Sequence, residues 1–119
     1  MDSGVPDIIL ASKSRIRSRL LKRAGVDFFV RPPDVDEAVI KKKAGNVSTK
    51  KLARILAETK ARQVSSDFTD ALVIGADQVL ECQGVLFDKP SGKKAAREHL
   101  MKLRGKTHHL TCSVCVAQG

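Results

Sequence analysis

The sequence predicts an α/β fold, and three observations predict it. Short apolar runs alternate along the chain with stretches of helical apolar spacing. The most apolar run, residues 71–76 (Ala-Leu-Val-Ile-Gly-Ala), does not alternate and reads as a central strand covered on both faces. Gly25, Pro32-Pro33, Gln83-Gly84 and Gly105 fall where one segment gives way to the next.

Each element has a local reason. Residues 8–11 (Ile-Ile-Leu-Ala) form a buried strand, broken by Ser12-Lys13-Ser14. From Arg15 the apolar residues Ile16, Leu20, Leu21 and Ala24 follow helical spacing, and Gly25 stops the helix. Residues 26–30 read as a second strand, ended by Pro32-Pro33 and followed by an acidic segment, Asp34 to Glu37. Ser48 is a suitable N-cap for a long helix carrying Leu52, Ile55, Leu56 and Val64. After the central strand, residues 79–82 and 85–87 flank Gln83-Gly84, a hairpin signal. Ser91 is expected to cap a further helix with Ala96, Leu100 and Leu103 inward, and residues 108–116 alternate as a strand.

Composition narrows the class. At 119 residues, one domain with its own core is expected. With 42% apolar residues, no Trp or Tyr and four Phe, that core must be aliphatic. The net charge of +9 favours anionic partners such as phosphates, although runs like Lys41-Lys42-Lys43 and Lys50-Lys51 fit a plain solvated surface. Nucleic acid is not the expected partner, because stacking aromatics and a basic recognition motif are both lacking. No stretch approaches the roughly 18 apolar residues of a membrane span. Met1 to Pro6 carries no signal-peptide pattern, and three cysteines fit a reducing compartment, so a cytoplasmic protein is expected.

Four places could carry chemistry. At the first strand-to-helix junction, free N–H groups and the helix dipole suit a phosphate; Ser12 and Ser14 add hydroxyls and Arg17 a guanidinium. The junction lacks the glycines of a P-loop, and an ordinary Ser cap explains the same residues. Glu37, in the acidic segment, could bind a divalent metal or could simply be solvated. Asp77 follows the central strand, where open α/β sheets collect their ligands, and could serve as general base or metal ligand, or could merely start a turn. Lys89 is fixed by Pro90, and Lys60 sits towards the end of the long helix; alone, each reads as solvated. Cys112 and Cys115, near His108 and His109, would point to opposite faces of a strand, which argues against zinc.

Taken in order, these pieces resemble the Maf family. Leu10 to Arg17 is similar to its opening Leu-Ala-Ser-x-Ser-Pro-x-Arg; Gly25 to Phe28, Asp36-Glu37, Glu58 to Ala61, Gly75 to Gln78, Lys89-Pro90 and Leu103 to His108 follow in register. The resemblance covers the chain from about residue 8 onward. It implies an elongated mixed sheet of the Maf/ITPase type with flanking helices and a central cleft, of which residues 1–119 would be a single N-terminal portion, the second half being absent. It further implies a nucleoside triphosphate pyrophosphatase that uses Mg2+ or Mn2+. Asp77 would activate water, and Glu37 with Asp77 would hold the metal. Ser12, Ser14, Arg17, Lys60 and Lys89 would bind the triphosphate, while Ile16 and Gln78 would choose the base. Asp-Gln at positions 77–78 is tied by resemblance to 7-methyl-GTP rather than dTTP or UTP. A homodimer is compatible with this reading. Two departures stand out: Arg15 replaces a Pro, and Ile16 stands where Arg or Trp is usual. Competing readings are a non-catalytic nucleotide- or RNA-binding remnant and a cell-division interaction protein.

Overall fold

The computed structural model describes residues 4–119, so Met1, Asp2 and Ser3 of the polar N-terminal segment lie outside the described residues. Strand β1 (Ile8–Ala11) is apolar throughout, and Ile9, Leu10 and Ala11 are all buried. Helix α1 (Arg15–Arg23) starts at Ser14, whose side chain accepts the Arg17 N–H, and Gly25 follows its end at φ 79°. Strand β2 is only Phe29–Val30, shorter than the expected 26–30, and both residues are exposed. It pairs with β1 at the rim of the sheet, where its two apolar side chains remain open to solvent.

A helix not foreseen from the sequence, α2 (Glu37–Ala44), occupies the acidic and lysine-rich stretch. Asp36 caps it through the Val39 N–H, and Gly45 at φ 65° ends it. Its apolar residues Ile40 and Ala44 lean on the core made by Leu52, Ala53, Leu56 and Val79. Helix α3 (Thr49–Ser65) is capped by Ser48, as expected, and lies along the longest strand.

That strand, β3, runs unbroken from Leu72 to Cys82, where two separate strands were expected. Strand β5 (His108–Ala117) pairs with it over its whole length, from Val73 to Cys82, so Asp77-Gln78 is held in extended backbone and does not start a turn. Strand β4 (Val85–Phe87) returns from β3 through Gln83-Gly84, both at positive φ, as a two-residue hairpin turn requires. Helix α4 (Lys93–Leu103) begins at Gly92 without any side-chain cap, so Ser91 does not cap it. Leu100, expected inward, is 68% exposed.

The five-stranded sheet has the order β2-β1-β3-β4, with β5 on the far side of β3. β1 is parallel to β2 and β3; β4 and β5 are antiparallel to β3. The connection from β1 to β2 and that from β2 to β3 run in opposite directions along the sheet, so right-handed crossovers put α1 and α3 on opposite faces. The switch of direction falls between the ends of β1 and β3, where a crevice forms in such sheets. One further feature shapes it. β1 pairs with β3 as far as Gly75 and β4 begins pairing at Leu80, leaving residues 76–79 without a strand partner on that side. The molecule is elongated, 56 × 32 × 22 Å, as the resemblance implied.

Candidate active site

The gap in the sheet is the floor of an open cleft of about 720 Å³. On one side stands the start of α1 with Ser14 and Arg17; opposite is the loop after β4 with Asp88, Lys89 and Pro90; α2 contributes Glu37 and Lys41. Asp77 and Gln78 come from β3 itself. A second concavity of about 840 Å³ lies at the other end of β1 and β3, beside Asp7 and the 67–71 turn, and holds none of the sequence-predicted residues.

The strand alternation aims Asp77 at α3, where Lys60 meets it. The Lys60 Nζ donates to Asp77 Oδ1 at 2.9 Å and also bridges to Glu37 Oε1 at 2.6 Å. Only 11% of the Lys60 side chain and 10% of the Asp77 side chain are exposed, so these charges interact with little solvent screening. Burial works to lower the Lys60 pKa, but the hydrogen bonds and charges of Glu37 and Asp77 outweigh it and hold the ammonium above its ordinary value. The close approach depends on Gly75. A Cβ there would strike the Ala57 carbonyl oxygen and come within 2.7–2.8 Å of the Ala61 N and Cβ. Glu37 is placed by the Asp36 cap and by the preceding loop, where Gln63 and Asp34 exchange two hydrogen bonds of 3.0 and 3.2 Å.

The α1 junction is built differently from a bare phosphate cradle. Ser12 is buried; its Oγ accepts the Ser14 N–H at 3.0 Å, and it does not line the cleft. Ser14 lines the cleft, accepting the Arg17 N–H while its hydroxyl proton stays available to a ligand oxygen. Arg17 Nη1 donates to the Ala76 carbonyl at 3.2 Å, on the unpaired stretch of β3, tying the helix to the cleft floor. Ile16 points away: it is 69% exposed and does not line the cleft. Lys89 lines it and is exposed. The structure thus gathers Ser14, Arg17, Glu37, Lys60, Asp77, Gln78 and Lys89 around one opening, with Ser12 beneath it and Ile16 outside.

Lys41 and Asp88 were not singled out from the sequence. Their 2.7 Å ion pair joins α2 to the loop after β4 across the mouth of the cleft. The signal that could have found Lys41 is the pair of helix punctuation marks, Asp36 and Gly45, around residues 37–44. Cys82, Cys112 and Cys115 are all free thiols, and among the described residues no group of three or more His, Cys, Asp or Glu could hold a metal. No helix of the described residues is long and apolar enough to cross a membrane.

The profile of the family described as Maf-like protein matches residues 7–119, nearly the whole chain and the entire cleft. The chain belongs to the Maf family. A protein of Pelagibacter ubique named nucleoside triphosphate pyrophosphatase is 39% identical over 117 residues, covering 97% of this chain and 60% of the relative. One of the same name from Rhodospirillum rubrum is 46% identical over 118 residues, 98% of this chain and 58% of the relative. A Bartonella quintana protein named 7-methyl-GTP pyrophosphatase is 45% identical over 109 residues, 92% of this chain and 55% of the relative. The chain therefore spans little more than half the length of these curated relatives.

Proposed function

We propose that this chain carries the phosphate-binding and water-activating part of a nucleoside triphosphate pyrophosphatase, with residues 1–119 forming one portion of the Maf domain. The observation that carries the reading is Lys60 shared between Glu37 and Asp77 at the open edge of β3, Asp77 lying one residue on from Ala76, whose carbonyl accepts from Arg17 of α1. Asp77 is the proton acceptor for a water attacking the α-phosphorus; the α–β P–O bond breaks and pyrophosphate leaves. Arg17, Lys60 and Lys89 take up the negative charge that moves onto the leaving group, with Ser14 and the α1 N–H groups orienting the chain of phosphates. Ser12 acts indirectly, by holding the Ser14 backbone.

Glu37 and Asp77 suit a hard divalent cation, Mg2+ or Mn2+. Both offer carboxylate oxygens, and both already converge on one cationic group, the Lys60 ammonium. Mg2+ is commonly held by one or two carboxylates together with substrate phosphates, so a protein cage of three ligands is not needed. Such an ion supplies charge neutralisation at the phosphates when bound.

Among substrates, 7-methyl-GTP is favoured over dTTP and UTP. Gln78 lines the cleft and offers an amide donor and acceptor to a base edge, and one close relative bears that substrate in its name. The fitting compartment is the cytoplasm.

The test is pyrophosphate release with Mg2+ or Mn2+ from the 119-residue chain and its Asp77→Asn variant, over a panel of nucleotides. Slow release, far below that of full-length relatives, is expected from the parent chain. The variant should lose it, by about 10²–10⁴-fold or to background, while keeping its nucleotide affinity. Equal turnover by parent and variant would overturn the assignment, and dTTP or UTP outrunning 7-methyl-GTP would overturn the substrate choice.

A further inference from the structure

We propose that Phe87, with His99 bracing it, is the platform on which the substrate's base stacks, on the face of the sheet opposite Asp77. This rests on the nucleotide reading above. It starts from the register. Residues alternate between faces along a strand, and directly paired residues share a face. Asp77 and Val79 face α3, since Val79 packs in the α3 core and Asp77 meets Lys60. Gln78 and Leu80 therefore face the other way, and the pairings Leu80↔Phe87 and Leu80↔Leu110 put Phe87 and Leu110 beside them.

The cleft reaches both faces because residues 76–79 of β3 have no strand partner on that side. Asp77 faces α3 and lies next to Ala76, whose carbonyl holds Arg17 at the open edge; Leu80, Phe87 and Leu110, three of the apolar residues of the cleft lining, share the far face with Gln78. A nucleoside triphosphate divides its chemistry in the same way, with a polyanion at one end and a flat, largely apolar ring carrying polar edges at the other. Leu80, directly paired with Phe87, is three residues along the strand from Asp77, about 10 Å at 3.3 Å per residue. That is the reach of a nucleoside from its 5′ phosphate to the far side of its base.

The aromatic pair is formed in advance. Phe87 and His99 meet at 5.2 Å between ring centroids with planes at 86°. An edge-to-face pair covers only one face of one ring, so it fixes orientation and leaves a ring face for a further partner. This contact also anchors α4, whose Leu100 and Met101 are exposed. The chain has no Trp or Tyr and only four Phe, and Phe87 is the one that lines this cleft.

The test separates base from phosphate. In an Asp77→Asn background, calorimetry compares 7-methyl-GTP, UTP and inorganic tripolyphosphate. Phe87→Ala should weaken both nucleotides by about 5- to 150-fold, the usual worth of one base–aromatic stack, and leave tripolyphosphate unchanged. Arg17→Ala should weaken all three. A second variant guards against misfolding: Phe87→Trp introduces the chain's sole indole, whose fluorescence should be quenched by nucleotide and not by tripolyphosphate. If nucleotide binds the Phe87→Trp variant with no change in fluorescence, or if Phe87→Ala weakens tripolyphosphate as much as nucleotide, the platform is refuted and the pyrophosphatase reading survives. If neither nucleotide nor tripolyphosphate binds the parent, both fall together.

Discussion

Gly75→Ala is the smallest change that should disturb both the fold and the site. The added Cβ would overlap the Ala57 carbonyl oxygen and lie 2.7 and 2.8 Å from the Ala61 N and Cβ. An ordinary contact is about 3.5–4.0 Å, so the helix must retreat by roughly 1 Å. Two of the three obstructing atoms are backbone, and no rotamer can relieve them. Overpacking of this kind costs about 1–3 kcal/mol. Ala57 and Ala61, both fully buried, sit at the centre of the α3–β3 contact, which favours the upper half of that range. For a chain of this length the melting temperature should fall by roughly 5–15 °C. Lys60 neighbours Ala61, and Asp77 lies two residues beyond Gly75, so the same retreat lengthens the 2.9 Å Lys60–Asp77 contact. A misplacement near 1 Å is enough to cost about 10²-fold in rate. Thermal unfolding by circular dichroism, with pyrophosphate release measured in parallel, reads both effects. A Gly75→Ala chain that melts within a degree of the parent and keeps its turnover would show that α3 does not fix the Lys60–Asp77 distance.

Other outcomes follow from single contacts. Asp36→Ala removes the α2 cap and should cost about 0.5–2 kcal/mol in urea unfolding, with Asp36→Asn restoring most of it; turnover should fall with the cap because Glu37 is the first residue of α2. The Lys60 pKa is raised in the folded chain, so its contribution to stability is fully present below the ordinary lysine value of 10.5 and is lost as pH rises through the higher folded value. Urea midpoints should therefore decline more steeply above that pH in the parent than in Lys60→Met. Leu110, Val114 and Val116 form an exposed apolar row on β5, so sedimentation should show concentration-dependent self-association of the 119-residue chain, weakened by Val114→Thr with Val116→Thr.

How much of this was legible follows from which signals are local. Ser14 and Ser48 were readable as caps because capping depends on a few neighbouring residues, and the Gln83-Gly84 hairpin on two. The length of β3 was not readable, since Asp77-Gln78 looks like a turn until β5 supplies a hydrogen-bonding partner from 36 residues later, Asp77↔Ser113. Helix α2 was hidden by its lysines: its apolar positions, Ile40 and Ala44, have meaning only against Leu52, Leu56 and Val79. The site divides in the same way. Asp77, Glu37, Arg17 and Lys89 could be named from motif order. That Lys60 bridges two carboxylates could not, because Glu37 and Asp77 are 40 residues apart and meet only through α3. Ser12 was named for its hydroxyl and Ile16 for its place in the family pattern, and neither signal carries the burial of the one or the exposure of the other.

The resting charge pattern bears on how such a site can wait for substrate. Glu37 and Asp77 are brought together in a protein of net charge +9, yet neither faces the cleft alone, because the Lys60 ammonium lies between them. Removing that ammonium would leave two carboxylates repelling an incoming polyphosphate and each other. Keeping it fixed permanently on Asp77 would hold back the carboxylate that, in the reaction proposed above, receives a proton. A nearly buried lysine with a raised pKa meets both demands if it moves only a short way. While it sits on Asp77 it balances the pair; once phosphate oxygens enter beside it, the same ammonium can turn to them and release Asp77 to water. The close packing of Gly75 against Ala57 and Ala61 keeps the helix backbone from following, so the change is confined to the side chain. Lys60→Arg should then preserve the ion pairs but slow turnover, since a planar guanidinium forked onto carboxylates reorients less readily than an ammonium with rotatable donors. Nucleotide affinity kept within a few-fold, with pyrophosphate release reduced at least tenfold, is the expected pattern. Full turnover with arginine at this position would show that Lys60 acts as a fixed charge alone.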